Sequence, residues 1–177
     1  MIKVSVTPKM LAWAQRRCDT FVDSRVPNAV SDQRTRVLTG FLCEAAFWSL
    51  YRDASYRDAV DHDFVINGVK VDVKGKLCRH DPERLSLNFF INDSYINKSI
   101  DGIYVFAFLS DRFDFVWIVG WETFENFKRS AKFIPEGESY TQNGKSFRNK
   151  LSVWNLPVLS MRGTELLFEK LKKSRQE

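Results

Sequence analysis

The dipeptide Asn67-Gly68 constrains this chain most tightly, because it separates two stretches of alternating apolar and polar residues, 61–66 and 69–74. Asn-Gly supplies the two positive-φ residues of a type I′ turn, and a two-residue turn fixes the register of the strands it joins. With Ile66 opposite Val69, the pairs are Val65 with Lys70, Phe64 with Val71, Asp63 with Asp72, His62 with Val73 and Asp61 with Lys74. Side chains alternate across a strand. Phe64, Ile66, Val69, Val71 and Val73 therefore share one apolar face, while Asp61, Asp63, Asp72 and Lys74 share the other. The apolar face belongs to a core. On the polar face, two carboxylates directly opposite each other have Cβ atoms roughly 4.5–5.5 Å apart, and like charges there destabilise the pair. Two arrangements resolve the repulsion: the aspartates splay into water, or a divalent cation with oxygen ligands bridges them.

Residues 34–51, just upstream, have helical spacing, with Val37, Phe41, Trp48 and Tyr51 along one stripe. Glu44 falls on the same stripe, three residues after Phe41 and four before Trp48. An ionised glutamate on a buried helix face is costly unless it is paired or binds a metal. Either Glu44 sits at the edge of the stripe and reaches solvent, or it joins the two aspartates as a third oxygen ligand.

The ordered set Gly40-x-x-x-Glu44 on a helix, Asp63 on a strand and Asp72-Val73-Lys74 on the next resembles the PD-(D/E)xK superfamily of restriction endonuclease-like nucleases, including small phage-type endonucleases. By motif the resemblance spans residues 36–76. His62 stands where the superfamily often has proline, which leaves the first aspartate as Asp63 or Asp61. The resemblance implies an α/β fold with an αβββαβ core, a central mixed sheet flanked by helices. It implies a Mg²⁺- or Mn²⁺-dependent nuclease with Glu44, Asp63, Asp72 and Lys74 as catalytic residues. The metal ligands would be Asp63, Asp72 and the Val73 carbonyl, with Glu44 ligating directly or through water. Lys74 would orient or deprotonate the attacking water.

Composition sets the outer limits. The 177 residues suffice for one domain with a sizeable core, read as an N-terminal helix over 7–23, a catalytic core over about 32–132 and a C-terminal flap and helix over 135–177. The hydrophobic share of 44% and aromatic share of 14% belong to a folded chain. No apolar run approaches the roughly 20 residues that span a bilayer, and the N-terminus lacks a signal-peptide core, so the expectation is a cytoplasmic protein without a membrane partner. Cys18, Cys43 and Cys78 are odd in number and widely spaced, which suits buried reduced thiols. There is no Walker-type or Rossmann glycine loop, so no nucleotide cofactor is expected.

The net charge of +5 favours an anionic partner, and its distribution matters more than its size. Residues 74–80 read as a basic loop with a glycine hinge leaving the carboxylates, and Lys76, Arg79, His80 and Arg84 are candidate phosphate contacts; an ordinary solvated connection is the alternative. His62 belongs on the apolar face as a structural histidine. Arg34 and Arg36 oppose the dipole in the first turn of the glutamate-bearing helix, a placement that suits an anion, and Ser31 or Asp32 is its expected cap.

Farther along, residues 85–91 read as a strand, 93–100 as a turn or short helix, 103–109 as a central strand buried on both faces and 113–121 as its hairpin partner. Residues 122–132 have helical character, Asn143-Gly144 predicts a second hairpin carrying Lys145, Arg148 and Lys150, and 163–173 reads as a last helix. The expected partner is DNA, with a homodimer favoured if both strands are cut. Two other function classes remain open: a non-catalytic nucleic-acid-binding module, and a metal-dependent hydrolase of a small phosphorylated substrate.

Overall fold

The computed structural model of the chain describes residues 1–25, 31–51, 54–57, 62–80, 82, 87–96, 102–142 and 145–173. Its first strand, β1 (Ile2–Ser5), leads into helix α1 (Pro8–Arg25), whose first turn is closed by the Met10 amide donating to Thr7 Oγ1 at 3.2 Å. Helix α2 (Ser31–Leu50) and the short β2 (Ser55–Tyr56) follow, then the hairpin of β3 (Phe64–Ile66) and β4 (Val69–Cys78). The next elements are β5 (Asn88–Asn92), the single turn α3 (Asp93–Ile96), β6 (Ile103–Ser110), β7 (Phe115–Thr123) and α4 (Phe124–Ser130). The described residues finish with β8 (Lys132–Ile134), the paired strands β9 (Ser139–Gln142) and β10 (Lys145–Arg148), β11 (Val153–Pro157) and α5 (Thr164–Lys173).

The principal sheet is mixed, with strand order β1-β7-β6-β4-β3-β2. Among the described strands only β4 and β6 run parallel, in register from Val71 with Ile103 to Cys78 with Ser110. Every residue of β6 is buried, as its unbroken apolar run requires, because both faces of the sheet are covered. On one face Val105, Ala107 and Leu109 join Phe64, Val71 and Val73 beneath α1, α2 and α5. On the other, Tyr104, Phe106 and Phe108 pack against β5, β11 and α4. Each such aromatic contributes about 1.5–3 kcal/mol relative to an exposed position.

The cover of that second face departs from the sequence expectation. The strand read over 85–91 forms as β5, but outside the principal sheet, in a separate three-stranded sheet ordered β5-β11-β8. The reason lies in β11: Leu156 pairs with Phe89, and both side chains are buried against the aromatic face of β6. A helix over 122–132 is shortened to α4, since β7 continues to Thr123, whose Oγ1 caps the helix by accepting from the Asn126 amide at 3.1 Å. The N-terminal strand β1, pairing with β7, was also not foreseen.

Residues 74–78 are not the hinged loop the sequence suggested. They are the second half of β4, held in ladder register by β6, which had no sequence signal as a parallel neighbour. Gly75 serves close packing there: a Cβ would lie 2.9 Å from Cys43 Sγ and 3.2 Å from the Thr39 carbonyl oxygen of α2. The strands of the second hairpin pair, with Lys145 opposite Gln142 and Arg148 opposite Ser139, while its expected turn, Asn143-Gly144, lies outside the described residues.

Candidate active site

The Asn67-Gly68 turn forms, with Asn67 at φ 48° and Gly68 at φ 82°, and the register from Ile66/Val69 to Phe64/Val71 is the one the turn demands. Beyond Phe64 the register fails, which corrects the predicted face-to-face aspartates. The Asp63 amide donates to the Val71 carbonyl at 2.9 Å, so the chain bends out of the ladder instead of pairing Asp63 with Asp72. The Asp63 side chain then takes the place of the lost strand: its Oδ2 accepts from the Val73 amide at 2.7 Å. His62 lies within the bend and is half-buried, outside the ladder; Asp61, the alternative first aspartate, lies outside the described residues.

Helix α2 is pressed between α1 and the sheet, so residues 41–47 are buried all round. Leu42, Cys43, Ala46 and Phe47 are wholly buried, while Phe41 and Trp48 meet Trp13 of α1 edge-on at 6.0 and 5.9 Å. Glu44 sits in that helix only 8% exposed. Its Oε2 accepts from the Tyr56 hydroxyl at 3.3 Å, and that hydroxyl accepts from Arg17 Nη2 at 3.0 Å. The Arg17 guanidinium lies over the Phe41 and Tyr56 rings, 5.5 and 5.2 Å from their centroids. Glu44 is thus held inward by a hydrogen-bonded chain that ends in a cation.

Asp63 feels both of the other carboxylates. Burial, then the charge of Glu44, then that of Asp72 push the Asp63 carboxyl well above the usual carboxylate range, against the opposing pull of the Val73 amide and Lys74. Asp72 has its own partner, with Lys74 Nζ 2.6 Å from its Oδ2 and 5.6 Å from the Tyr104 ring. Four of the expected site residues are therefore assembled at the point where β3 leaves β4. Among the described residues, no group of three His, Cys, Asp or Glu side chains converges closely enough to hold a metal ion as it stands.

Past Lys74, strand alternation continues to Lys76, which burial pushes below the ordinary lysine range and whose ammonium lies 4.9 Å from the Phe90 ring of β5. Arg79 and His80 follow the strand and are exposed. Arg84 lies outside the described residues, as does the side chain of Lys145. Arg148 is turned back on its own hairpin, its Nε donating to the Gly137 carbonyl at 2.9 Å, and Lys150 is exposed just beyond. The two arginines at the start of α2 divide: Arg34 pairs with Asp19 of α1, whereas Arg36 is exposed on a groove beside β4. The caps proposed at Ser31 or Asp32 concern side chains outside those described.

Searches against protein-family models, curated proteins and solved structures match nothing to this chain.

Tyr56 and the use of Arg17 were not foreseen. Neither has a sequence signal, because both reach Glu44 through tertiary packing of α1 and β2 on α2. The shared face of Lys74 and Lys76 follows from the strand's period of two once β6 extends β4 past residue 74. No helix among the described residues is long and apolar enough to cross a membrane.

Proposed function

We propose that this chain is a metal-dependent deoxyribonuclease with a restriction endonuclease-like core, hydrolysing DNA phosphodiester bonds in the manner of PD-(D/E)xK enzymes. The observation that carries this reading is the buried meeting of Asp63 with Glu44 and Asp72, with Lys74 in contact with Asp72. Like charges gathered at the end of a hairpin weaken the fold, and a strongly perturbed carboxyl beside specific charged partners marks a functional-site candidate. The order of a glutamate-bearing helix, an antiparallel hairpin and a parallel strand beside its second arm supports the core assignment.

The donor set fits Mg²⁺ or Mn²⁺, since such hard cations take oxygen ligands and would neutralise the charge that burdens Asp63. Asp63, Asp72 and the Val73 carbonyl would hold the ion, with Glu44 ligating directly or through water. Once bound, it supplies a polarised phosphoryl oxygen and a water of lowered pKa. The protein's own groups do the rest. The Val73 amide aims Asp63, and the Arg17–Tyr56 pair fixes Glu44. Lys74, released from Asp72, would orient the attacking water and place its charge against the negative charge that builds on the phosphoryl oxygens.

Cleavage of plasmid, linear, single-stranded and branched DNA with Mg²⁺ or Mn²⁺, and with EDTA, tests the proposal. Metal-dependent cutting that falls by about 10²-fold or more in both Asp72→Ala and Lys74→Ala is the expected result. The 2.6 Å Lys74–Asp72 contact favours a second reading, because it satisfies Asp72 without a cation. In a non-catalytic nucleic-acid-binding module, salt-sensitive DNA binding would persist with no cutting under any condition.

A further inference from the structure

The strand β3 pairs with β4 only as far as Val71, while β4 runs on to Cys78. From Val73 to Leu77 the edge of β4 forms the floor of a groove of about 770 Å³. One wall is the first half of α2, at Thr35, Arg36 and Thr39, and the other is β5, from Phe89 to Asn92. Arg36, Lys74 and Lys76 line it, and among the described residues no carboxylate does. Val73 is both part of the floor and the residue whose amide holds Asp63, so the groove runs into the carboxylates.

From this we infer that the groove holds one nucleic-acid strand and leads its backbone to Asp63 and Asp72, so that the substrate is single-stranded or frayed at the site of attack. The inference rests on the nuclease reading and narrows its substrate. The charge is that of a phosphate-binding track. Lys76 strengthens the case, because it is half-buried on the groove with its Nζ 4.9 Å from the Phe90 ring. The two walls belong to layers on opposite faces of the principal sheet. Phe90, with Lys76 over its ring, has the pairing of aromatic surface and cation on which single strands stack. Asn92 lies on the same wall, its Oδ1 accepting from the Ser94 amide and hydroxyl.

Fluorescence anisotropy in EDTA, with a labelled oligonucleotide offered single-stranded and as its duplex, separates this from catalysis. The wild type should bind the single strand tighter. Arg36→Ala and Lys76→Ala should each lower the slope of log affinity against log salt by about 0.7, the loss of one phosphate contact. Phe90→Leu, which keeps the apolar bulk of β5, should weaken single-strand binding by about tenfold. Arg36 is exposed, so its variant tests the groove without disturbing the core. Duplex bound as tightly as single strand, unchanged salt slopes, or no oligonucleotide bound would each overturn the inference. Tight single-strand binding without metal-dependent cleavage would uphold the groove's hold on one strand while removing the nuclease reading and, with it, the site of attack.

Discussion

Gly75→Ala sets two opposing effects against each other, and the packing around β4 decides the sign. Gly75 has no positive φ, so its backbone accepts alanine, and a compatible Gly→Ala change stabilises by about 0.4–1 kcal/mol through the unfolded chain. Against this, the new Cβ would lie 2.9 Å from Cys43 Sγ, 3.1 Å from Cys43 Cβ and 3.2 Å from the Thr39 carbonyl oxygen. Cys43 is wholly buried and the carbonyl is helix backbone, so neither neighbour can swing away; α2 itself must move. Overpacking of this kind costs about 1–3 kcal/mol. The net expectation is a loss of about 1–2 kcal/mol, and at about 2–4 °C per kcal/mol for a chain of this size the midpoint falls by roughly 2–8 °C. Denaturant unfolding and thermal scans of Gly75→Ala, Cys43→Ala and the double variant measure it. Because Cys43→Ala removes the sulfur at 2.9 Å, the glycine substitution should cost at least about 0.5 kcal/mol less in that background. A neutral or stabilising Gly75→Ala, or full additivity with Cys43→Ala, would refute the argument.

Asp63→Asn tests the strained carboxyl. In the fold Asp63 holds its proton more tightly than in the unfolded chain, so its contribution is fully present below the unfolded pKa of about 3.9 and is lost as pH rises through the elevated folded value. The variant keeps an oxygen for the Val73 amide but cannot titrate, so its stability, followed by guanidinium unfolding from about pH 4 to about pH 8, should decline less than that of the wild type; parallel curves would contradict this. Tyr56→Phe removes the hydroxyl 3.3 Å from Glu44 and should lower stability by about 1–2 kcal/mol in the same assay, as for hydrogen bonds to charged groups; no change would show that Glu44 is held otherwise. Asn67→Gly still suits the turn but loses the bond from Nδ2 to the Leu171 carbonyl at 2.7 Å, for about 0.5–1.5 kcal/mol. Asn67→Ala should cost more, because it adds backbone strain at φ 48°; equal losses would count against that ordering.

How far the sequence carried depends on the range of the interaction involved. The turn at Asn67-Gly68, the alternation that buries Phe64, Val71 and Val73, and the unbroken apolar run of β6 are local patterns with one physical reading each, and all three hold. The inward face of Glu44 was legible from helical spacing; its hold on Tyr56 was not, because the partner arrives from β2. Register arithmetic placed Asp63 opposite Asp72, yet it could not foresee that a carboxylate would replace the strand and accept from Val73. Lys76 was seen as part of a loop, since nothing local announces that β6 will run beside residues 74–78 in parallel. The second sheet was hidden for a similar reason: Trp154 and Leu156 of β11 find their meaning only across from Ile91 and Phe89, some sixty residues away.

The central claim is that Glu44, Asp63 and Asp72 are gathered to take a cation. Titration of Mn²⁺ followed by electron paramagnetic resonance, on the wild type and on Glu44→Gln, Asp63→Asn and Asp72→Asn, tests it without requiring catalysis. Saturable binding to the wild type that weakens by about tenfold or more in Asp63→Asn and Asp72→Asn, and less in Glu44→Gln, is the predicted result. No saturable binding, or binding that none of the three substitutions alters, would contradict it.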